Sequence, residues 1–227
     1  KNLSAMPIFH GFGLGIGIHT VLVNNACCVL LAQFNTKTYI NAMKRYKPNF
    51  IAGVPTIFKM LTESDELEGE DLSYLQGMFV GGDAMPADLK RTVDEFLRSH
   101  NASIQVREGY GLTECSPAVC VNPPERLRKG SVGVMLKGVE VSILEPDENG
   151  CGEIAVKGDI VMKGYYKMPE ATRATVDRDG WLHSGDLACR DENGNYRITG
   201  RLKDMIIRGG ENIYPKEIEE FIYTHPA

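Results

Sequence analysis

The sequence predicts an α/β fold: a doubly wound sheet over residues 1–116, a small antiparallel β unit over 117–202, and from residue 203 the opening of a third segment. Three observations carry that expectation. Between Cys27 and Arg107, apolar runs of strand length alternate with amphipathic runs of helical period, as βαβ units do. From about Pro117 the apolar runs shorten, and turn clusters such as Glu148-Asn149-Gly150 and Glu192-Asn193-Gly194 separate them. Twenty-four glycines and 11 prolines supply more tight turns than a helical bundle uses, and 43% hydrophobic residues over 227 positions suffice for a sizeable core.

In chain order, Met6-Pro7-Ile8-Phe9-His10 leads into Gly11-Phe12-Gly13-Leu14-Gly15-Ile16-Gly17, where glycine alternates with apolar residues. This is not GxGxxG, and no GxxxxGK[ST] occurs in the chain, so the dinucleotide fingerprint and the common phosphate loop are both excluded. The glycines are expected to let a helix pack closely on its neighbour. His10, the ionisable group of this stretch, reads either as a hydrogen-bonded core residue or as a minor catalytic candidate.

Cys27 to Leu31 reads as a buried strand, Thr36 to Lys47 as a helix and Asn49 to Gly53 as a strand, with a helix opening at Pro55, a favoured first helical position. Leu75 to Val80 gives a strand that ends in Gly81-Gly82-Asp83. Pro86 then starts a helix whose Leu89, Val93, Phe96 and Leu97 share one face. Strand Ser103 to Arg107 delivers Gly109-Tyr110-Gly111-Leu112-Thr113-Glu114, and Pro117 forbids an uninterrupted helix afterwards. Two glycines, a ring, a hydroxyl and a carboxylate at a strand end suit a nucleotide phosphate, because ligands gather at such ends in open α/β sheets. Alone, the hexapeptide could equally be an ordinary turn. A second strand end with glycines and a carboxylate, Gly81 to Asp83, favours a site.

In the β unit, Val139 to Leu144, Glu153 to Val156 and Tyr196 to Thr199 read as strands, with Gly180 to Asp186 at the edge. His183, Ser184 and Asp186 do not form a hydrolase relay, since neighbours on a strand point to opposite faces. Asp186 remains a candidate hydroxyl binder. Gly200 to Gly210 reads as an exposed hairpin, and a helix from Pro215 places Ile218, Phe221 and Ile222 on one face.

A net charge of −5 argues against general nucleic-acid binding. Residues 1–62 contain no Asp or Glu, so they either line an anion-favouring site or form a core with few surface positions. Six cysteines without CxxC spacing predict reduced thiols in a cytoplasmic protein. No membrane span is expected, because His19, Thr20, Asn24 and Asn25 interrupt the most apolar run, and no signal peptide is evident. Lys1 in place of an initiator Met suggests a piece of a longer chain.

These motifs, in this order and leading into Tyr214-Pro215-Lys216-Glu217-Ile218-Glu219, resemble the adenylate-forming (AMP-binding) superfamily over nearly the whole chain. Within it they resemble the acyl-CoA synthetases, or fatty-acid-CoA ligases. The resemblance implies activation of a small-molecule carboxylic acid by ATP and Mg²⁺ to an acyl-adenylate and pyrophosphate, then acyl transfer to coenzyme A. It implies that Gly81, Gly82 and Asp83 line the adenine pocket, that Tyr110 stacks on the base, and that Gly111 belongs to the same nucleotide-binding set. Thr113 would contact the α-phosphate, Glu114 would hold Mg²⁺, and Asp186 would bind the ribose hydroxyls with help from Arg201. His10 and Phe12 would border the acyl carboxylate, Lys203 would be the hinge of a C-terminal domain, and Gly209 and Gly210 would lie near the pantetheine path. Thr113, Glu114, His10 and Lys203 thus form the expected catalytic set.

Two parts of the family's pattern are missing: a Ser/Thr/Gly-rich phosphate loop upstream, and most of the C-terminal domain with its catalytic lysine. The expectation is therefore a truncated fragment of a ligase that does not complete adenylation alone. Rival readings are an amino-acid-activating domain, a luciferase-like oxygenase and a non-catalytic nucleotide-binding module. Residues 6–31 offer no acid to pair with a substrate ammonium, which favours an uncharged acyl chain.

Overall fold

The computed structural model describes residues 1–208, 211–213 and 215–223. It divides into two compact units, Lys1–Thr113 and Glu114–Ala227.

In the first unit, strands β1 (Asn2–Ser4), β2 (Cys28–Leu30), β3 (Phe50–Gly53), β4 (Gly77–Val80) and β5 (Val106–Tyr110) alternate with helices α1 (Thr20–Val23), α2 (Thr36–Tyr46), α3 (Pro55–Thr62) and α4 (Ala87–Ser99). The strands run parallel in the order β2-β1-β3-β4-β5, the doubly wound order whose direction reverses at β1 and β3. Local chemistry sets the helix ends. Asn35 caps α2 by accepting the Thr38 N–H, Lys47 closes it in a left-handed conformation, and Pro55 occupies the first turn of α3. Leu3, Ile51, Met78 and Val106 of the sheet pack with Tyr39, Phe58 and Leu97 of the helices in one core.

β1 has no counterpart in the sequence reading. It is three residues long and two of them, Asn2 and Ser4, are polar yet buried. They are accommodated by the glycine stretch, which forms a π-helix over Phe12–His19. The Asn2 side-chain amide donates to the Gly17 carbonyl at 3.4 Å. A Cβ at Gly17 would lie 2.3 Å from Ser4 Oγ, and one at Gly13 would lie 2.2 Å from the Pro7 carbonyl oxygen. The expected close approach is thus made on the Ser4 side chain at Gly17 and on the Met6–Pro7 backbone at Gly13.

β5 begins three residues later than the apolar alternation at Ser103 to Arg107 suggests, so Gly109 and Tyr110 belong to the strand itself. Its first residue is fixed from α4: Lys90 Nζ donates to the Val106 carbonyl and Asp94 Oδ1 accepts the Val106 N–H, each at 2.7 Å.

In the second unit, β6 (Cys120–Val121) pairs antiparallel with β7 (Val134–Met135). β8 (Val139–Leu144), β9 (Cys151–Gly158), β10 (Leu182–Arg190) and β11 (Tyr196–Arg201) form an antiparallel sheet in the order β11-β10-β9-β8. Helix α5 (Pro169–Thr175) precedes β10, and the hairpin of β12 (Ile206–Arg208) and β13 (Glu211–Ile213) precedes helix α6 (Pro215–Tyr223).

Two expectations are corrected here. The Gly180 to Asp186 segment feeds an inner strand, because β11 covers the side of β10 that β9 leaves open. The cysteines are not all thiols either: Cys151 and Cys189 face each other across the β9–β10 ladder, with Cα atoms 4.1 Å apart, and form a disulfide. They lie 38 residues apart in sequence, so only strand pairing brings them together. The premise for a reducing compartment fails for this pair. Among the described residues, no helix is long and apolar enough to cross a membrane.

Candidate active site

β4 and β5 are adjacent and parallel, so their carboxyl ends lie side by side, carrying Gly81-Gly82-Asp83 and Gly109-Tyr110-Gly111. Gly81 extends β4 by donating its N–H to the Gly53 carbonyl at 3.2 Å. A Cβ on Gly81 would stand 3.7 Å from Phe12 Cζ and 3.8 Å from the Gly109 carbonyl oxygen. The structure therefore brings Gly81, Gly109 and Phe12 together. Gly82 turns the chain at φ +78°. Asp83 is exposed, its Oδ1 accepting the Ala84 N–H at 2.8 Å. Tyr110 is half-buried, whereas Gly111 and Thr113 are exposed.

His10 is exposed, and its Nδ1 accepts the Phe12 N–H at 3.1 Å. In the neutral ring that bond assigns the proton to Nε2. His10 and Phe12, two residues apart, are thus joined through the backbone at the start of the π-helix.

In the second unit, Glu114 Oε1 accepts a hydrogen bond from the Tyr165 hydroxyl at 2.8 Å. That bond, followed by burial, pushes the Tyr165 hydroxyl above its ordinary pKa. The neighbouring Cys115 thiol is pushed up to about 12, by burial first and the Glu114 charge second, which makes it a poor nucleophile. Among the described residues, no three His, Cys, Asp or Glu side chains converge as a metal cage. A single carboxylate such as Glu114 fits Mg²⁺, which is commonly held by one or two carboxylates together with substrate phosphates.

Asp186 lies in an irregular stretch of β10, opposite Arg201 of β11, with Arg201 Nε 3.5 Å from Asp186 Oδ1. The Arg201 side chain is 75% exposed, so the pair contributes little stability while keeping a guanidinium at the carboxylate. Lys203 is exposed in the turn after β11. Gly209 and Gly210 lie outside the described residues.

Sequence reasoning passed over Tyr165 and Glu153, and considered His183 only as a member of a rejected relay. Tyr165 meets Glu114 across 51 residues, a distance at which no spacing rule applies. Glu153 left one signal, a carboxylate set among the apolar residues of a strand. It accepts the Gly185 N–H at 2.9 Å through Oε1, and its Oε2 lies 3.3 Å from His183 Nδ1.

The sequence profile of the family described as AMP-binding enzyme matches residues 1–166. Feruloyl-CoA synthase of Amycolatopsis sp is 38% identical over 236 residues, covering 100% of this chain and 46% of its own length. Long-chain-fatty-acid–CoA ligase of Bacillus subtilis (strain 168) is 36% identical, covering 100% of this chain and 41% of its own. Luciferin 4-monooxygenase of Photuris pensylvanica is 34% identical, with 99% and 41% covered. The chain thus spans less than half the length of these relatives. Among solved structures, o-succinylbenzoate coenzyme A synthetase (MenE) of Bacillus subtilis in complex with AMP superposes with a TM-score of 0.82 at 32% identity, covering 100% of this chain and 46% of that one. With a doubly wound sheet, glycine-carboxylate strand ends and a family match over most of its residues, this chain belongs to the AMP-binding enzymes, the adenylate-forming family of the acyl-CoA synthetases.

Proposed function

We propose that the chain is the nucleotide-binding part of an ATP-dependent acyl-CoA ligase, which adenylates an uncharged fatty or aryl acid and passes the acyl group to coenzyme A. The observation that carries this reading is the pair of glycine-carboxylate ends on neighbouring strands β4 and β5, with the Phe12 ring against Gly81. Backbone without side chains lets a flat base approach closely, and parallel strand ends are where nucleotides settle. The division into 1–116, 117–202 and 203–227 belongs to the same proposal.

In this reading Gly81, Gly82, Asp83 and Gly111 accommodate the adenine and Tyr110 stacks on it. Asp186 accepts hydrogen bonds from the ribose hydroxyls beside Arg201. A carboxylate oxygen of the acid attacks the α-phosphorus, forming an acyl–O–P bond as pyrophosphate leaves. Both partners are anionic, so the acid-free residues 1–62 favour their meeting. Thr113 donates its hydroxyl hydrogen bond to the α-phosphoryl group, where charge develops. Glu114 would hold Mg²⁺ together with phosphate oxygens, and the ion when bound offsets their charge. His10 retains Nε2–H as a donor for the acid's carboxylate, and Phe12 supplies an apolar border. Lys203 serves as the hinge, with Gly209 and Gly210 on the pantetheine path.

Calorimetry with sulfamoyl analogues of palmitoyl-, feruloyl- and phenylalanyl-adenylate tests the proposal. The fatty or aryl analogue should bind the 227-residue chain more tightly than the aminoacyl one. Tyr110→Ala should weaken that binding by about tenfold, and Asp186→Ala by roughly 10- to 100-fold, as expected for a lost stack and lost hydrogen bonds to a charged group. Tight binding that ignores both substitutions would refute the assignment.

A further inference from the structure

The ladder between β9 and β10 breaks where Asp186 sits. His183 pairs with Ala155 and Leu187 with Glu153, so four steps along β10 oppose two along β9, and Ser184, Gly185 and Asp186 leave the regular pattern. Side chains replace the lost ladder bonds. Gly185, at φ +71°, donates its N–H to Glu153 Oε1 at 2.9 Å, and its carbonyl accepts the Leu202 N–H at 2.8 Å. Asp186 donates its N–H to Ser184 Oγ at 3.0 Å, and that hydroxyl donates in turn to the Ile154 carbonyl at 2.6 Å. The peptide that leads into the Asp186 Cα is thus tied down at both its carbonyl and its N–H.

Glu153 is held as firmly as it holds. With Oε1 on the Gly185 amide, its Oε2 takes the His183 Nδ1 at 3.3 Å, which as partner of a carboxylate must donate. His183 Nε2 lies 3.6 Å from Asp177 Oδ2, and Asp177 Oδ1 accepts the Trp181 and Asp179 N–H groups at 2.9 Å. The Glu153 side chain is only 19% exposed, so water is a poor substitute for either bond.

We infer that Glu153 is a positioning residue for ribose recognition: by bonding the Gly185 amide and the His183 ring at once, it fixes the bulge that aims the Asp186 carboxylate. This rests on the reading of Asp186 as the ribose acceptor. A strand without this brace would keep its core residues and lose the aim of one side chain. The brace therefore acts on ribose hydroxyls and not on the base.

The experiment compares equilibrium binding of AMP and 2′,3′-dideoxy-AMP to the 227-residue chain and its variants. The unaltered chain should prefer AMP by about tenfold or more, the scale of lost hydrogen bonds to a carboxylate. Glu153→Ala should remove roughly tenfold from AMP affinity and leave dideoxy-AMP within about twofold. Glu153→Gln keeps an acceptor for Gly185 and should restore AMP binding to within about threefold; combining Glu153→Ala with Asp186→Ala should add almost nothing to Asp186→Ala alone. Should Glu153→Ala not fold, Glu153→Asp, whose shorter arm draws the carboxylate away from the Gly185 amide, carries the same expectation. An equal loss for both ligands, or an unchanged ratio between them, overturns the inference. If the unaltered chain binds both ligands alike, the ribose role of Asp186 fails as well, and if it binds neither, the nucleotide reading fails.

Discussion

Lys90 is a basic side chain only 8% exposed, and its partners are Asp94 Oδ2 at 3.0 Å and the Val106 carbonyl. Asp94 also receives the Val106 N–H, so one carboxylate both neutralises a buried cation and sets where β5 begins. Asp94→Ala should cost about 3–5 kcal/mol in urea denaturation, because a buried ammonium is left without its counter-charge. A loss below about 1 kcal/mol, the range of an exposed pair, would show that the site is effectively solvated. Asp191 offers a milder case. Its carboxylate is held below the usual range chiefly by the Asn195 N–H, then by the Asn195 side chain and the Asn193 N–H. With a folded pKa below the unfolded one, its contribution is present above the ordinary carboxylate range and lost as pH falls through the folded value. Melting temperatures of the parent and Asp191→Asn should therefore begin to draw together as pH falls below about 4. Divergence there would contradict the assigned bonds. Some of the candidate site was legible at this scale: Gly81 to Asp83 and Gly109 to Glu114 stand out because the glycine-carboxylate pattern, an ordinary turn when met once, recurs at two strand ends. Tyr165 and Glu153 were not legible, because their meaning comes from partners 51 and 30 residues away.

Helices α2 and α3 were read from sequence to within a residue or two where Asn35 and Pro55 mark their starts, whereas α5 was not read although Pro169 opens it. Strands fared worse in proportion to how much side chains from elsewhere set them. β1 is short and polar, and the π-helix lies on it where Gly17 leaves room for the Ser4 side chain. β5 is displaced by the Lys90–Asp94 clamp, which alternation does not encode. The π-helix gives a direct check. Gly13→Ala sets a methyl 2.2 Å from a backbone oxygen that cannot rotate away. It should destabilise the protein by about 1–3 kcal/mol, the usual cost of overpacking, read as a lower urea midpoint with an unchanged slope. An unchanged midpoint would mean that the helix can lift off the Met6–Pro7 backbone.

At the scale of the whole molecule, the doubly wound half and the antiparallel half were both evident from the change of texture near Pro117. The covalent link within the second was not. Thiol titration in denaturant without reductant should find four groups, not six, since Cys27, Cys28, Cys115 and Cys120 are free. Closing a loop of 38 residues should contribute about 2–4 kcal/mol, so the Cys151→Ser, Cys189→Ser pair should melt several degrees lower than the oxidised parent. Six titratable thiols in freshly purified protein would disprove the link. The irregularity at Ser184 to Asp186 also sets a rule of arithmetic for this sheet. Its surplus over β9 is two residues, an even number, so Leu182 before it and Ala188 after it stay on one face of the sheet, both fully buried. Removing or adding a single residue there would carry Ala188 to the opposite face and bring a neighbour, Leu187 or Cys189, into its place. Length variation in this stretch is therefore expected only in steps of two, a parity that a deletion series can read directly.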